Sequence, residues 1–408
     1  MKDFIKRFDA LLMLVAFSIV SVGLVAIYSA TFTSDSGSDY FSRQLLFACI
    51  GAVIMIVISY LPPKYISKIT YYLYGLSIVL LALVLIMGKK ISGQRSWFSV
   101  GGFGIQPSEF AKLTTIMALA TFLSTEEGEL KLGSLKNFLI AIGIVLLPVG
   151  LIMKQPDMGT ALVFLSFIIP VFFWAGLSPY WILTFIAPII IAIAAFFGNI
   201  YFFILLGILA LVFFSFKKNI ILTSIIIVIN LAVGFSTNYA YSKLQPYQQR
   251  RIMAVFDPTT DPLGSGYNVI QSKVAIGSGG IFGKGYLQGT QTQLKFIPEQ
   301  WTDFIFCMIG EEFGFIGALL IIILYVILII RLINNAYLCR NGFLGICCIG
   351  FASIFLFHLF INIGMTIGLM PVIGIPLPLV SYGVSSLLSF MIMIGIGMNA
   401  YRNRNIYI

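Results

Sequence analysis

The chain has 408 residues, 59% of them hydrophobic and 10% charged, with a formal net charge of +10. Soluble domains are roughly half apolar and a quarter charged, so this balance excludes an ordinary water-soluble globule and makes the bilayer the solvent. Nucleic acid is excluded as well, because Lys and Arg stand singly or in pairs between apolar runs, with no basic arm or aromatic-interleaved patch.

In chain order, Met1 to Arg7 is basic like the start of a signal peptide, but the apolar run after it is long and lacks a small-residue cleavage site. It reads as the first membrane helix. Apolar segments lie at 9–30, 44–61, 69–88, 107–124, 136–153, 158–175, 180–198, 200–216, 219–236, 304–332, 344–368 and 383–401. A helix of about 20 apolar residues crosses the hydrocarbon core, so the expected fold is all-α, one polytopic transmembrane bundle over 1–408 with twelve candidate spans. The turn at Gly198 and Asn199 is tight and the run 200–216 is short, which leaves ten crossings as an alternative with the same overall orientation.

The positive-inside rule puts both termini in the cytoplasm, with Lys2, Lys6, Arg7, Lys64, Lys68, Lys131, Lys136, Lys217, Lys218, Arg331, Arg340, Arg402 and Arg404 on the inner side. Lys89, Lys90 and Arg95 then face outward, and binding of an anionic ligand is one reason for basic groups there.

The connection 237–303 is far longer than the others and is the expected working surface on the outer face. It carries Tyr239, Tyr241, Tyr247, Phe256, Tyr267, Phe282, Tyr286, Phe296 and Trp301, aromatics suited to the headgroup level. Within it, 268–276 has the pattern of a short interfacial helix. The glycine cluster GSGGIFGKG at 277–285 lacks the first Gly and the closing Ser/Thr of a phosphate loop, so it reads as a turn, with Lys284 a lesser candidate for a lipid pyrophosphate. The five cysteines form no CxxC pair, and the single histidine, His358, reads as a packed or hydrogen-bonded residue of an apolar helix.

Asp303, in PEQWTDFIF, is the leading catalytic candidate: a carboxylate where a loop meets a helix, beside Trp301 and near basic groups. A helix N-cap explains Thr302 and Asp303 equally well. Glu311 and Glu312 follow inside an apolar run and require partners. In GQRSWFSVGGFGIQPSEFAK at 93–112, Glu109 and Lys112 either pair along one helix face or line a cavity near Arg95 and Trp97. Asp157 in KQPDMGT is a helix cap or a ligand contact. The uncharged, proline-rich stretch GLMPVIGIPLPLVSYGVSS at 368–386 requires cover from protein or a cavity to line.

QPSEFAK, QPDMGT, DPLGSGYNVIQSKVAIGSGGIFGKG, TQTQLKFIPEQWTDFIF and GIPLPLVSYG, in this order over most of the chain, closely resemble the SEDS family (shape, elongation, division and sporulation). The wording is closer to elongation-type members than to division-type ones. The resemblance implies a ten-crossing core, so that 200–216 and 219–236 form an inserted hairpin. It also implies a peptidoglycan glycosyltransferase that polymerises lipid II on undecaprenyl pyrophosphate outside the bacterial cytoplasmic membrane, working with a class B penicillin-binding protein and the elongation machinery. By motif position it assigns the essential acid to Asp303 and cavity roles to Trp97, Glu109, Lys112 and Asp157, with Lys112 the candidate for contacting anionic substrate. Arg250, Arg251 and Lys273 are candidates for the pyrophosphate or, equally, interfacial anchors, Arg95 is a further substrate-binding candidate, and a divalent cation (Mg or Mn) is a candidate aid without a ligand cluster to demand it. Trp301 stands where relatives carry His, and Val384 where they carry Gly. A lipid II flippase and a noncatalytic scaffold are the competing readings, since a polar-lined cavity among helices also suits transport.

Overall fold

A computed structural model describes residues 8–33, 37–91, 94–100, 103–124, 135–216, 218–244, 249, 265–298 and 300–404. Hydrocarbon offers no partner to backbone N–H and C=O groups, so each apolar run closes its hydrogen bonds internally as a helix. The helices are α1 (Ala10–Thr31), α2 (Gly37–Tyr60), α3 (Pro63–Met87), α4 (Pro107–Leu123), α5 (Leu135–Lys154), α6 (Met158–Ser166) and α7 (Ile168–Trp174). They continue as α8 (Pro179–Phe197), α9 (Asn199–Ser215), α10 (Ile220–Ser242), α11 (Ser265–Gly279), α12 (Thr290–Gln293), α13 (Ile305–Glu312), α14 (Gly314–Leu338), α15 (Gly342–Thr366) and α16 (Val384–Arg402). Among the described residues nine helices are long and apolar enough to cross a membrane, which makes the protein multi-pass.

All twelve apolar runs are helical, but two are broken. The run 158–175 divides at Phe167. The run 304–332 divides at Phe313, where Gly314 has a φ of +66° that favours glycine, so the span begins at Gly314 and α13 is a separate short helix ahead of it.

Of the nine spans, α15 and α16 are the most enclosed, and one continuous core joins them to α1 through α7, α13 and α14. Helices α8, α9 and α10 form a separate cluster around Tyr180, Ile191, Phe202 and Phe213, tied by the Tyr180 and Thr223 hydroxyls at 3.2 Å. The expected hairpin is therefore α9 and α10, seated on α8 at the side of the bundle. At one end of α1, Asp9 caps Leu12 N at 3.1 Å and accepts from Arg331 Nε at 3.1 Å and Asn335 Nδ2 at 2.8 Å, closing the bundle there.

The connection between α3 and α4 is an antiparallel meander of β1 (Lys89–Ile91), β2 (Gln94–Val100) and β3 (Phe103–Ile105), with Lys89 opposite Trp97 and Phe98 opposite Ile105. Strand pairing satisfies the backbone of a segment too short and polar to span. The long connection is shorter than expected, because α10 runs to Ser242, and its described part from Ser265 on carries helices: α11 covers the expected 268–276 helix, and α12 follows it.

Candidate active site

Asp303 is half-buried on a stretch of chain held by its backbone on both sides. Tyr382 N donates to Trp301 O at 2.9 Å, Ser381 Oγ to Thr302 O at 2.5 Å, and Asn362 Nδ2 to Asp303 O at 2.8 Å. Three donors from distant parts of the sequence thus fix three consecutive carbonyls. The cap position of α13 is Phe304, with no side-chain cap bond, so Asp303 stands one residue outside the helix. A Cβ built on Gly374 would meet the Asp303 Oδ2 at 3.3 Å, so the carboxylate lies against the backbone of the GIPLPLVSYG segment.

That segment forms the wall of the site and is covered by protein, as irregular backbone at membrane depth must be. Asn362 Nδ2 donates a second bond, to Ile375 O at 2.8 Å, and His358 Nδ1 is 2.9 Å from Pro376 O. Ser381 Oγ accepts from Leu377 N at 2.8 Å, while Gln44 donates to Ser381 O and accepts from Gly383 N, both at 3.3 Å. Tyr40 stacks on Trp301 with centroids 5.7 Å apart and meets Tyr382 edge-on at 5.1 Å, so an aromatic residue at 301 is packed into the SYG turn.

Asp157 caps α6, accepting from Thr160 N at 3.0 Å and Thr160 Oγ1 at 2.8 Å, and also from Gln106 Nε2 at 3.3 Å. It still borders the wall, since a Cβ on Gly159 would fall 3.0 Å from Ile373 O. Glu109 Oε1 holds Lys112 Nζ at 2.9 Å inside the protein, and Lys112 is 1% exposed. The intrahelical pair is therefore the arrangement adopted, with the Lys112 ammonium enclosed by protein. Glu109 Oε2 is buried with no hydrogen-bond partner.

Trp97 is half-buried on β2, against Gly104 of β3, and Arg95 on the same strand is exposed. Ser385 Oγ accepts from Gln106 N at 3.2 Å, so Gln106 links the end of the meander to the start of α16 and to Asp157. Lys273 is exposed on α11, and its side chain lies across Gly368, whose Cβ would fall 2.3 Å from Lys273 Cε. Ser272 Oγ donates to Thr366 O at 2.8 Å, docking α11 on the end of α15. Arg250 and Arg251 lie outside the described residues.

The glycine cluster serves packing. Gly279, Gly283 and Gly314 each approach backbone so closely that a Cβ would fall between 2.0 and 2.3 Å from a neighbouring main-chain atom. Lys284 N and Gly285 N donate to the carbonyls of Glu311 and Glu312 at 3.0 and 3.1 Å, and Lys284 Nζ bonds Glu311 Oε1 at 2.7 Å. Those donors face protein, so the cluster forms no phosphate cradle. Glu312 accepts from Ser29 Oγ at 2.5 Å, and burial pushes its carboxyl up despite that bond and those from Leu287 and Gln293. Among the described residues no three His, Cys, Asp or Glu side chains come together to hold a cation.

His358 and Asn362 were legible in one respect: with Thr366 they are spaced by four on α15, one polar stripe in an apolar helix. The structure turns that stripe toward Pro376, Asp303 and α11.

A bundle with a carboxylate held outside a helix cap and walled by a proline-rich turn defines a class of membrane protein with a polar site at the end of its helices. The chain belongs to the cell cycle protein family of FtsW, RodA and SpoVE, the SEDS family, whose pattern matches residues 9–203 and 179–406. The two matches overlap over 179–203, all of α8 and the first residues of α9. Peptidoglycan glycosyltransferase MrdB of Escherichia coli K12 is 35% identical, covering 97% of this chain and 94% of that protein. Peptidoglycan glycosyltransferase RodA of Treponema pallidum is 34% identical, covering 97% and 98%. A solved structure described as structural coordination of polymerization and crosslinking by a peptidoglycan synthase complex matches at a TM-score of 0.70 and 30% identity, covering 98% of both chains. Crystalline Thermus thermophilus RodA, a rod shape determining protein, matches at 0.64 and 26%, also covering 98% of both.

Proposed function

We infer that this protein is an elongation-type peptidoglycan glycosyltransferase that polymerises lipid II, with Asp303 as general base. Family membership supplies the reaction class, and one observation carries the residue assignment. Asp303 has its backbone carbonyl bound by Asn362, stands outside the cap of α13, and presents its carboxylate beside Gly374. Asp157 caps a helix, and Glu109 and Glu311 each form an ion pair.

The reaction forms a bond from the acceptor sugar's 4-hydroxyl oxygen to the anomeric carbon of the growing chain and breaks that carbon's bond to undecaprenyl pyrophosphate. The hydroxyl proton passes to the Asp303 carboxylate, and the pyrophosphate leaves with the electron pair. A good leaving group needs no second carboxylic acid, unlike hydrolytic glycosidases. The pinned backbone supplies orientation, which is where most of the rate gain in such a site comes from. Exposed Lys273 and Arg95 are assigned to the anionic pyrophosphate, with Arg250 and Arg251 as further candidates, and Trp97 to the sugar or lipid.

The site faces outward from the bacterial cytoplasmic membrane with both termini inside, a reading supported by Lys64, Lys68, Arg331, Arg402 and Arg404 at the ends away from Asp303. A class B penicillin-binding protein that crosslinks the nascent strands is the assigned partner, consistent with the described synthase complex among the structural neighbours.

The test is polymerisation of purified lipid II by the chain with its partner. Asp303→Asn is expected to bind lipid II and to form no glycan strands. Normal polymerisation by that variant would overturn the assignment, and lipid II scrambling by the wild type in liposomes without polymer would favour the flippase.

A further inference from the structure

His358 is the only histidine of the chain, and it is 2% exposed within α15. Its Nδ1 lies 2.9 Å from the Pro376 carbonyl oxygen. A carbonyl only accepts, so Nδ1 carries the proton. Nε2 faces Lys112 Nζ at 3.4 Å, and an ammonium only donates, so Nε2 presents its lone pair. The two contacts together select one neutral tautomer. Lys112 completes its surroundings with Glu109 Oε1 at 2.9 Å and the Phe390 ring at 5.2 Å.

The consequence is mechanical. Residues 374–376 have no helix to satisfy their carbonyls, and α15 supplies the donors: Asn362 to Ile375 O and His358 to Pro376 O, one turn apart. Gly374, next in line, touches the Asp303 carboxylate. The imidazole connects the Glu109–Lys112 pair to that wall.

We propose that His358 is a positioning residue, held in the Nδ1–H tautomer, which links the buried Glu109–Lys112 pair to the backbone wall that orients Asp303. The functional half of this inference rests on Asp303 acting as the base. The tautomer half does not.

A single histidine makes the test direct. The full chain, purified without a histidine tag and labelled with ring-15N histidine in lipid nanodiscs, gives one pair of ring signals. The expected spectrum has Nδ1 protonated and Nε2 bare, unchanged from about pH 5 to pH 8, although a free imidazole titrates near about 6.5. A ring protonated at Nε2, or one that titrates in that window, would overturn the proposal. In Lys112→Met the Nε2 signal is expected to move toward that of a nitrogen without a donor, while Nδ1 stays put; an unmoved Nε2 overturns the link to Lys112.

Kinetics tests the consequence. His358→Phe is expected to lower kcat for glycan formation by at least about tenfold, with KM for lipid II within about twofold, because orientation is lost rather than binding. His358→Asn, which keeps a donor for Pro376 O, is expected to recover part of the loss. Unchanged kcat in His358→Phe, or no recovery in His358→Asn, overturns the positioning role. Normal polymerisation by Asp303→Asn would instead remove the base, and it would leave the ring spectrum as it is.

Discussion

Replacing Lys284 by Met removes the one ammonium that faces a fully buried carboxylate. Glu311 has no exposed side-chain surface and accepts from Lys284 Nζ at 2.7 Å, Gln291 N at 3.0 Å, Thr292 N at 3.1 Å and Thr292 Oγ1 at 2.8 Å. It therefore caps α12 from a distant part of the chain, because the residue at the cap itself, Gly289, has no side chain to do so. Breaking a buried pair by deleting one partner costs about 3–5 kcal/mol. Lys284 keeps a quarter of its side chain in solvent and Glu311 keeps its amide and hydroxyl donors, so we expect about 2 kcal/mol. That is about 30-fold in a local opening equilibrium.

Hydrogen exchange at the Gln291 and Thr292 amides reads this opening, and Lys284→Met is expected to speed it about 30-fold at neutral pH. Burial pushes the Glu311 carboxyl up, but the Lys284 ammonium, the Gln291 amide and the Thr292 hydroxyl and amide outweigh it and hold the group below its ordinary 4.5. A depressed carboxyl contributes stability that is complete above the unfolded value and is lost as pH falls through the folded one. The clamp is thus intact at neutral pH and opens only in acid. Without Lys284 the burial effect gains weight, and the opening moves up in pH. Unchanged exchange in Lys284→Met, or an acid opening at the same pH as wild type, would refute the reasoning.

Two further substitutions separate structure from chemistry. Asp157→Ala removes the cap of α6 and is expected to cost about 1–2 kcal/mol in unfolding measured in detergent, whereas Asp157→Asn, which still caps, is expected to lose less than about 0.5. Loss of polymerisation in a stable Asp157→Asn protein would show that the carboxylate has a ligand role beyond the cap. Gly374→Ala meets both a φ of +75° and the Asp303 Oδ2 at 3.3 Å, so glycan formation is expected to slow by about tenfold with lipid II affinity retained. Wild-type kcat in that variant would mean that Gly374 does not set the carboxylate's position.

All twelve apolar runs were legible in the sequence because hydrocarbon leaves a spanning segment only one way to satisfy its own backbone. The short run and tight turn left ten crossings open, and the hairpin of α9 and α10 was legible through the family resemblance. The helix within the long connection was legible by itself, since it needs only local periodicity. The roles of the acids were not legible. Asp157, Glu109, Glu311 and Asp303 all stand near helix ends with polar neighbours, and cap, ion pair and base share that local signature. The tertiary structure shows what binds them: Lys284 takes Glu311 across 27 positions, Asn362 takes the Asp303 carbonyl across 59, and Ser381 takes the Thr302 carbonyl across 79. His358 shows the same limit, since its burial was readable from an apolar helix but its partners, Lys112 and Pro376, come from two other parts of the chain. Spacing along one helix decides which side chains share a face; what a carboxylate does depends on which donors the packing of distant helices brings to it.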